Sequence, residues 1–324
     1  MRKLTFLVLI LGALYSGYWF YGARSVEQGA LQAIEQAQQD GWGVSYSALQ
    51  TVGFPSRFDT SVTDLTLTAA DGLWSWQAPF LQVFALSYQP NKVIAAFPPD
   101  HNLRLGDQTL QLMTEDLRAS AGVKANTDLS FDSATIESGA LSVTSDFGWV
   151  AALERALIAT RAADAANTYD VYMDADGLIL PADLIAQIDP KNQLTDVIDR
   201  LVLDSQVTLD QPLDRHAANP LAQSFTLNRF AIDWGDIALA AAGTIDIDAL
   251  GVPDGRITIK TDQWREIIDL LVNAGAIQPG VAPTITNMAS TMAQEGQTLE
   301  LPISFQNGFM SVGPLPIGPA PRLR

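Results

Sequence analysis

Cysteine is absent from all 324 residues. That excludes disulfides, thiolate catalysis and cysteine-ligated zinc. Histidine is almost absent as well. His101 and His216 sit in the polar segments "PPDHNL" and "LDRHAANP", and neither has i, i+4 spacing to another ligand, so both read as surface loop residues. There is no G-x-S-x-G elbow, no P-loop and no G-x-G-x-x-G after a strand. "GWGVSY" has two of three glycines and follows a helical stretch, so it marks a helix stop. Carboxylates are plentiful, yet no pair stands out as a glycosidase-type dyad. These absences leave no catalytic residue, no cofactor and no metal site to nominate, and the chain reads as no enzyme.

Positive charge is scarce too: 19 Lys and Arg face 36 Asp and Glu, for a net charge of −17. Two of the basic residues, Arg2 and Lys3, open the chain, so the rest is more acidic still. A surface of that sign repels nucleic acid and anionic headgroups, and no basic patch with interleaved aromatics relieves it. Nucleic acid is excluded as a partner.

What the chain does have begins at the N-terminus. "MRKLTFLVLILGALYSGYWFYGA" carries no charge from Leu4 to Ala23. Twenty helical residues at about 1.5 Å each reach roughly 30 Å, the hydrocarbon thickness of a bilayer. Tyr15, Tyr18, Trp19 and Tyr21 crowd its far end, where amphipathic rings favour the membrane interface. The basic pair precedes the run, so the positive-inside rule puts the N-terminus in the cytoplasm and the bulk of the chain outside. Cleavage after Gly17 or Ala23 would place a tyrosine at −3, a poor signal-peptidase site, so the expectation is an uncleaved single-pass anchor over residues 1–23. The membrane partner is then the segment 4–23. Helical spacing of Val26, Ala30, Ile34 and Ala37 extends the helix over residues 24–43.

From Val44 onward the period becomes two. Segments such as "VTDLTLTA", "NLRLGDQTLQLM" and "RLVLDSQVTLDQPL" alternate apolar and polar residues between Gly, Asp, Asn and Pro turns. With no crossover helices between them, they predict antiparallel strands with one apolar face. Three helices interrupt: "DFGWVAALERALIATRAADAA" from an Asp146 cap, "DQWREIIDLLVNAG" from an Asp262 cap to Gly275, and "VAPTITNMASTMAQEG" with Pro283 in its first turn. "NQLTDVIDRL" suggests a fourth. The fold expectation is therefore mainly β with packed helices: an N-terminal transmembrane helix followed by a large curved antiparallel sheet. The outer part spans residues 44–324, with an internal divide near 146–166.

Two acidic stretches resemble calcium loops. In "GTIDIDALGVPDGRITIK" a loop started at Asp246 puts Leu250 and Ile257 where oxygen ligands belong, and it fails. The alternation instead predicts a hairpin. Ile245, Ile247, Ile257 and Ile259 share one face; Asp246, Asp248, Arg256 and Lys260 share the other, with opposite charges across the pair. "YMDADGLILPAD" starts on Tyr172 and lacks flanking helices, so it reads as a strand turning at Asp176-Gly177 into the next strand.

The aromatic segment "GLWSWQAPFLQVFALSY" gives the one candidate binding feature. Trp74 and Trp76 share one face, and Phe84, Leu86 and Tyr88 share a face of the next strand. Core packing accounts for both groups; an apolar groove open to lipid is the competing reading.

"TVGFPSRFDTSVTDLTL", "APFLQVFALSYQPNKVIAAFP" and "GFMSVGPLPIGPAPRLR" resemble a bacterial family known as domain of unknown function 2125, over nearly all the chain from Gly53. "GTIDIDALGVPDGRITIK", an amphipathic helix, then "LELPISFQNGFMSVGPLPIG" is also similar to the C-terminal part of AsmA-like envelope proteins, although this chain is shorter than most of them. That resemblance implies a long β-sheet held at the bacterial inner membrane by an N-terminal helix, and a role in lipid traffic or envelope homeostasis. It brings no catalytic residues. Three functions follow as expectations: a periplasmic lipid-binding or transfer protein, a scaffold binding another envelope protein through a sheet edge, and, last, a hydrolase using His101 or His216.

Overall fold

A computed structural model describes residues 2–191, 194–293 and 297–323, the side chain of Ile317 apart. Among the described residues the chain is mainly antiparallel β, as the alternation predicts, with four helices, and it divides into two compact units. Unit 1 comprises residues 1–125 and 136–148; unit 2 comprises residues 126–135 and 149–324.

Unit 1 opens with α1 (Arg2–Gln39), a single uninterrupted helix. It is long and apolar enough to cross a membrane, and little of its apolar window is buried. Gly41, at φ 92°, ends it where the left-handed conformation requires glycine. The strands are β1 (Gly43–Ser45), β2 (Ala48–Val52), β3 (Arg57–Thr68), β4 (Trp74–Leu86), β5 (Gln89–Ala96), β6 (Asp100–Leu105), β7 (Gln108–Thr114) and β8 (Arg118–Val123). β9 (Phe131–Ser138), which the division splits, and β10 (Leu141–Ser145) follow. β3 and β4 form the spine, paired from Arg57↔Leu86 to Thr68↔Ser75. The sheet forks along β4. Its first half pairs with β6, which leads to β7 and β10; its second half pairs with β5, which leads to β8. The fork falls around Pro79, which has no N–H to give to a ladder.

Unit 2 is a meander. β11 (Val150–Leu153) and β12 (Arg155–Ala162) pair with β13 (Thr168–Ile179). β14 (Val197–Leu209), β15 (Ala222–Trp234), β16 (Ile237–Ile247), β17 (Pro253–Thr261), β18 (Leu299–Gln306), β19 (Phe309–Val312) and β20 (Leu315–Pro319) then follow in order. Each is antiparallel to the one before. Three helices sit at one end of these strands: α2 (Ala182–Ile188) between β13 and β14, and α3 (Trp264–Asn273) and α4 (Ala282–Met292) between β17 and β18.

Several sequence expectations are corrected here. "DFGWVAALERALIATRAADAA" is no helix; it forms β11 and β12, because each residue from Arg155 to Ala162 has a partner on β13. Asp146 caps nothing helical and accepts the Thr109 N–H instead. "NQLTDVIDRL" enters β14; its residues 192–193 lie outside the described ones. The helix of this region is "ADLIAQI", one element earlier. Asp262 does not cap α3, whose preceding residue is Gln263; its carboxylate takes the Thr298 hydroxyl. α4 follows its expected course with Pro283 in the first turn, and residues 294–296 of that expectation lie outside the described ones. β13 runs straight through Asp176-Gly177 rather than turning there.

The hairpin of β16 and β17 forms as expected, from Ile247↔Pro253 to Leu239↔Thr261. Its turn needs no metal, because the Asp248 carboxylate accepts the N–H groups of Leu250 and Val252 at 2.7 and 2.9 Å. The register corrects one detail: Asp246 faces Asp254 and Arg256 faces Thr244, so opposite charges do not meet across this pair. Lys260 meets Glu300 of β18 instead, at 3.2 Å. Gly243 and Gly255 bring the two backbones close. A Cβ at either would lie 2.1 Å from the Arg256 carbonyl oxygen or 2.2 Å from that of Thr244.

Candidate functional site

Register places the unit 2 side chains in cross-strand rows. One row contains Met173, Leu203, Phe230, Ala241, Ile259 and Leu301; a second contains Val207, Phe225, Ile245 and Phe305. Side chains alternate across a strand, so these rows form one continuous apolar face. The helices cover only its end. Trp264, Ile268 and Ala289 of α3 and α4 close over Leu299 and Leu301, and Ile185 of α2 packs with Ile198 and Trp234. Within these rows Ala241 and Ile245 are buried, while Leu203, Phe230, Phe225 and Phe305 stay partly open to solvent.

The opposite face is held by ion pairs. Arg200 grips Asp174 through Nε and a terminal nitrogen at 3.0 and 2.9 Å; Arg155 bonds Asp176 and reaches Asp174 at 3.5 Å. Arg161 and Gln206 converge on Asp170. The Arg200 hydrogen bonds hold the buried Asp174 carboxyl below its ordinary 3.8, against the opposing effect of burial. Gln206 and then Arg161 do the same for Asp170. These carboxylates are committed to arginines, which accounts for "YMDADG" without calcium. Among the described residues no group of three or more His, Asp or Glu side chains is placed to hold a metal ion.

In unit 1 the five aromatic and apolar candidates separate. Trp74, Trp76, Phe84 and Leu86 all lie on one strand, β4, not on two. Trp74 meets Trp42 edge-on at 5.4 Å, and Trp76 meets Phe97 and His101, each at 5.9 Å. Phe84 and Leu86 line a cleft of about 520 Å³ with Ile94, Arg57 and Lys92. Tyr88 stands in the turn beyond, 69% exposed. The structure therefore brings together two pairs, eight residues apart along the strand.

His101 is not a surface residue. It lies on β6, 4% exposed, where strand pairing draws it under Trp76 and its Nδ1–H donates to the Pro98 carbonyl at 3.1 Å. Asp64 and Asp100 line the same cleft of about 450 Å³, and neither is hydrogen-bonded to the imidazole. His216 is on an exposed loop beside Asp128 and Arg215. Neither histidine is paired with a serine or other nucleophile.

The feature that sequence reasoning missed is the seat of α1. Tyr15, Tyr18, Trp19, Ala23 and Val26 lie along one side of the helix. The Tyr15 and Tyr18 hydroxyls bond Ser87, to its Oγ at 3.0 Å and its carbonyl at 2.6 Å, and the Trp19 indole donates to the Arg57 carbonyl at 2.8 Å. Trp19 and Ala23 bury against Phe58, while Phe20 stacks on Phe54 at 5.6 Å. Gly22 lets Phe58 approach; a Cβ there would come 2.6 Å from the ring. The signal was the spacing of Tyr15, Tyr18, Trp19 and Tyr21, which the interface reading absorbed.

A family model described as an uncharacterized protein conserved in bacteria, domain of unknown function 2125, matches residues 19–321. The chain belongs to this family. The match runs through both units and includes the "GFPSR" loop that receives α1. No curated protein matches the chain.

Proposed function

We propose that this member of the family is a bacterial inner-membrane protein, anchored by residues 4–23 with its N-terminus in the cytoplasm and residues 44–324 in the periplasm, that binds lipid acyl chains on the apolar face of unit 2. The observation that carries the lipid reading is the row from Met173 to Leu301: a continuous apolar sheet face whose Leu203, Phe230 and Ile259 remain partly open to solvent, with helices packed at one end. Leaving such a face to water forfeits about 25 cal/mol for each Å² of apolar surface, so a ligand with hydrocarbon chains gains most by covering it. The AsmA-like comparison belongs to the same proposal. It is supported by an N-terminal apolar helix ahead of a long antiparallel meander with one apolar side. Continuity of α1 through residues 17–25 supports an uncleaved anchor, since cleavage after Gly17 or Ala23 would sever the docked helix.

A scaffold acting by strand addition is the rival. The meander's last strand counts against it: β20 carries Pro316 and Pro319, which withhold N–H groups from an incoming strand.

The test is gentle extraction of the full-length protein, with co-purifying lipid identified by mass spectrometry. The same measurement on Phe225→Lys and Leu203→Lys, which alter the apolar rows, is set against Thr244→Lys on the polar face, with circular dichroism to check folding. Stoichiometric lipid that is lost only in the first two variants supports the proposal. Lipid-free wild-type protein sinks it.

A further inference from the structure

The seat of α1 has a consequence for depth. If Arg2 and Lys3 stay at the cytoplasmic headgroups, Tyr15 lies about 17 Å and Trp19 about 22 Å along the helix from Leu4, well short of the roughly 30 Å the hydrocarbon layer spans. Tilt carries both residues deeper, not shallower. Yet these are the residues to which unit 1 is already bonded, through Ser87, Arg57 and Phe54. The helix cannot slide outward to free them without drawing Arg2 and Lys3 into hydrocarbon.

Composition agrees independently. In a chain of net charge −17, residues 41–56 and 72–91 carry no charged side chain, and these stretches contain both loops that hold α1. Their tips expose apolar and aromatic groups: Phe54 is 52% exposed, Tyr88 69%, and the adjoining Phe20 and Tyr21 of α1 62% and 76%. Arg57 and Lys92 stand where each uncharged stretch ends, and Arg57 is neutralised by Asp59 at 2.7 Å. Part of the loop backbone is satisfied internally, as a low-dielectric layer favours. The Arg57 N–H donates to the Gly53 carbonyl and the Ser87 N–H to the Ser56 carbonyl, while Pro55 and Pro90 have no N–H to satisfy.

We infer that unit 1 is seated in the membrane and not held above it: the loop between β2 and β3, led by Phe54, and the turn between β4 and β5, led by Tyr88, enter the interfacial layer of the outer leaflet beside α1. The partner is the lipid surface itself. This inference rests on the anchoring part of the proposed function and is separate from the lipid-binding face of unit 2.

The absence of cysteine makes the test clean. Nitroxide labels at Leu9→Cys, Phe54→Cys, Tyr88→Cys and Leu73→Cys in the full chain are read in phosphatidylethanolamine–phosphatidylglycerol vesicles by relaxation with oxygen, which concentrates in lipid, and with a neutral nickel chelate, which stays in water. Leu73 is the aqueous reference, 65% exposed in the turn after Gly72 and at the far end of α1, where Trp42 meets Trp74. We expect labels at 54 and 88 to share the oxygen preference of the label at 9, severalfold above the label at 73. An oxygen-preferring label at 9 with nickel-accessible labels at both 54 and 88 overturns the seating and leaves the anchor standing. A nickel-accessible label at 9 overturns the anchor itself. Neither a hydrogen bond nor a ring contact joins the Tyr88 side chain to α1, so its label reports even if Phe54→Cys loosens the helix.

Discussion

Both units carry apolar residues across the strands of their sheets, and they treat them differently. Unit 1 lays the middle of α1, from Tyr15 to Val26, against Phe58 and fixes it with three long-range hydrogen bonds from tyrosine and tryptophan. Unit 2 packs its helices at one end of the strands and leaves Leu203, Phe225, Phe230 and Phe305 of the middle rows partly open, while its polar face is cross-braced by arginine–aspartate pairs. Covering a sheet with a helix makes it a rigid base. Bracing only its polar side fixes the strands while keeping the apolar side available. The comparison teaches that order in a β-sheet need not come from a packed second layer; charged hydrogen bonds along the outside can hold the register.

That contrast can be broken at its strongest point first. Trp19→Ala removes a side chain that is 5% exposed together with its bond to the Arg57 carbonyl, and unit 1 is expected to lose about 3–5 kcal/mol. Unfolding by urea in detergent should show the loss, with protease cleavage near Gly53–Arg57 rising in step. A loss under about 1 kcal/mol would mean that α1 is not what steadies unit 1.

The brace of unit 2 comes next. Asp174→Asn keeps the shape but gives up the charge that Arg200 and Arg155 share, at an expected cost of about 1.5–3 kcal/mol. Folding lowers the titration of Asp174 and Asp170 below 3.8, so their stabilisation is full above that value and is lost as pH falls through the folded values beneath it. Urea midpoints of wild type and variant should therefore differ at pH 7 and converge toward pH 3. A constant gap would show that shape, not charge, is the brace.

The smallest effect calibrates the rest. Lys260 and Glu300 form an exposed pair at 3.2 Å, and Lys260→Ala is expected to cost between about 0 and 1 kcal/mol, diminishing further in salt. A larger cost would mean that even the exposed pairs of unit 2 carry its register.

Much of this arrangement was legible in the sequence where local pattern and tertiary pairing agree. The hairpin from Gly243 to Lys260 could be read because its isoleucines alternate and its turn residues stand between them. "ERALIATRA" could not, because alanine and leucine favour a helix when alone. The register with β13 decides it, joining Arg155 to Asp176 and Arg161 to Asp170 across 21 and nine residues. His101 looked exposed for the same reason, since its cover, Trp76, comes from another strand. The groove candidates shared a parity along β4, but parity says nothing of the fork around Pro79 that parts Trp76 from Phe84. The apolar face of unit 2 was visible strand by strand; that its helices gather at one end depends on tertiary packing, which no single segment encodes.

Gly243 and Gly255 also act on how the chain finds its alignment. Sliding β17 by two residues along β16 keeps every side chain on its proper face, so the apolar pattern alone permits the error. The slide would push Ile257 or Pro253 into the place of Gly255, where even a methyl group meets the Thr244 carbonyl oxygen at 2.2 Å. The two glycines thus serve as a key cut for one alignment. A hairpin within the meander can be threaded only one way, and the strands added on either side inherit that choice.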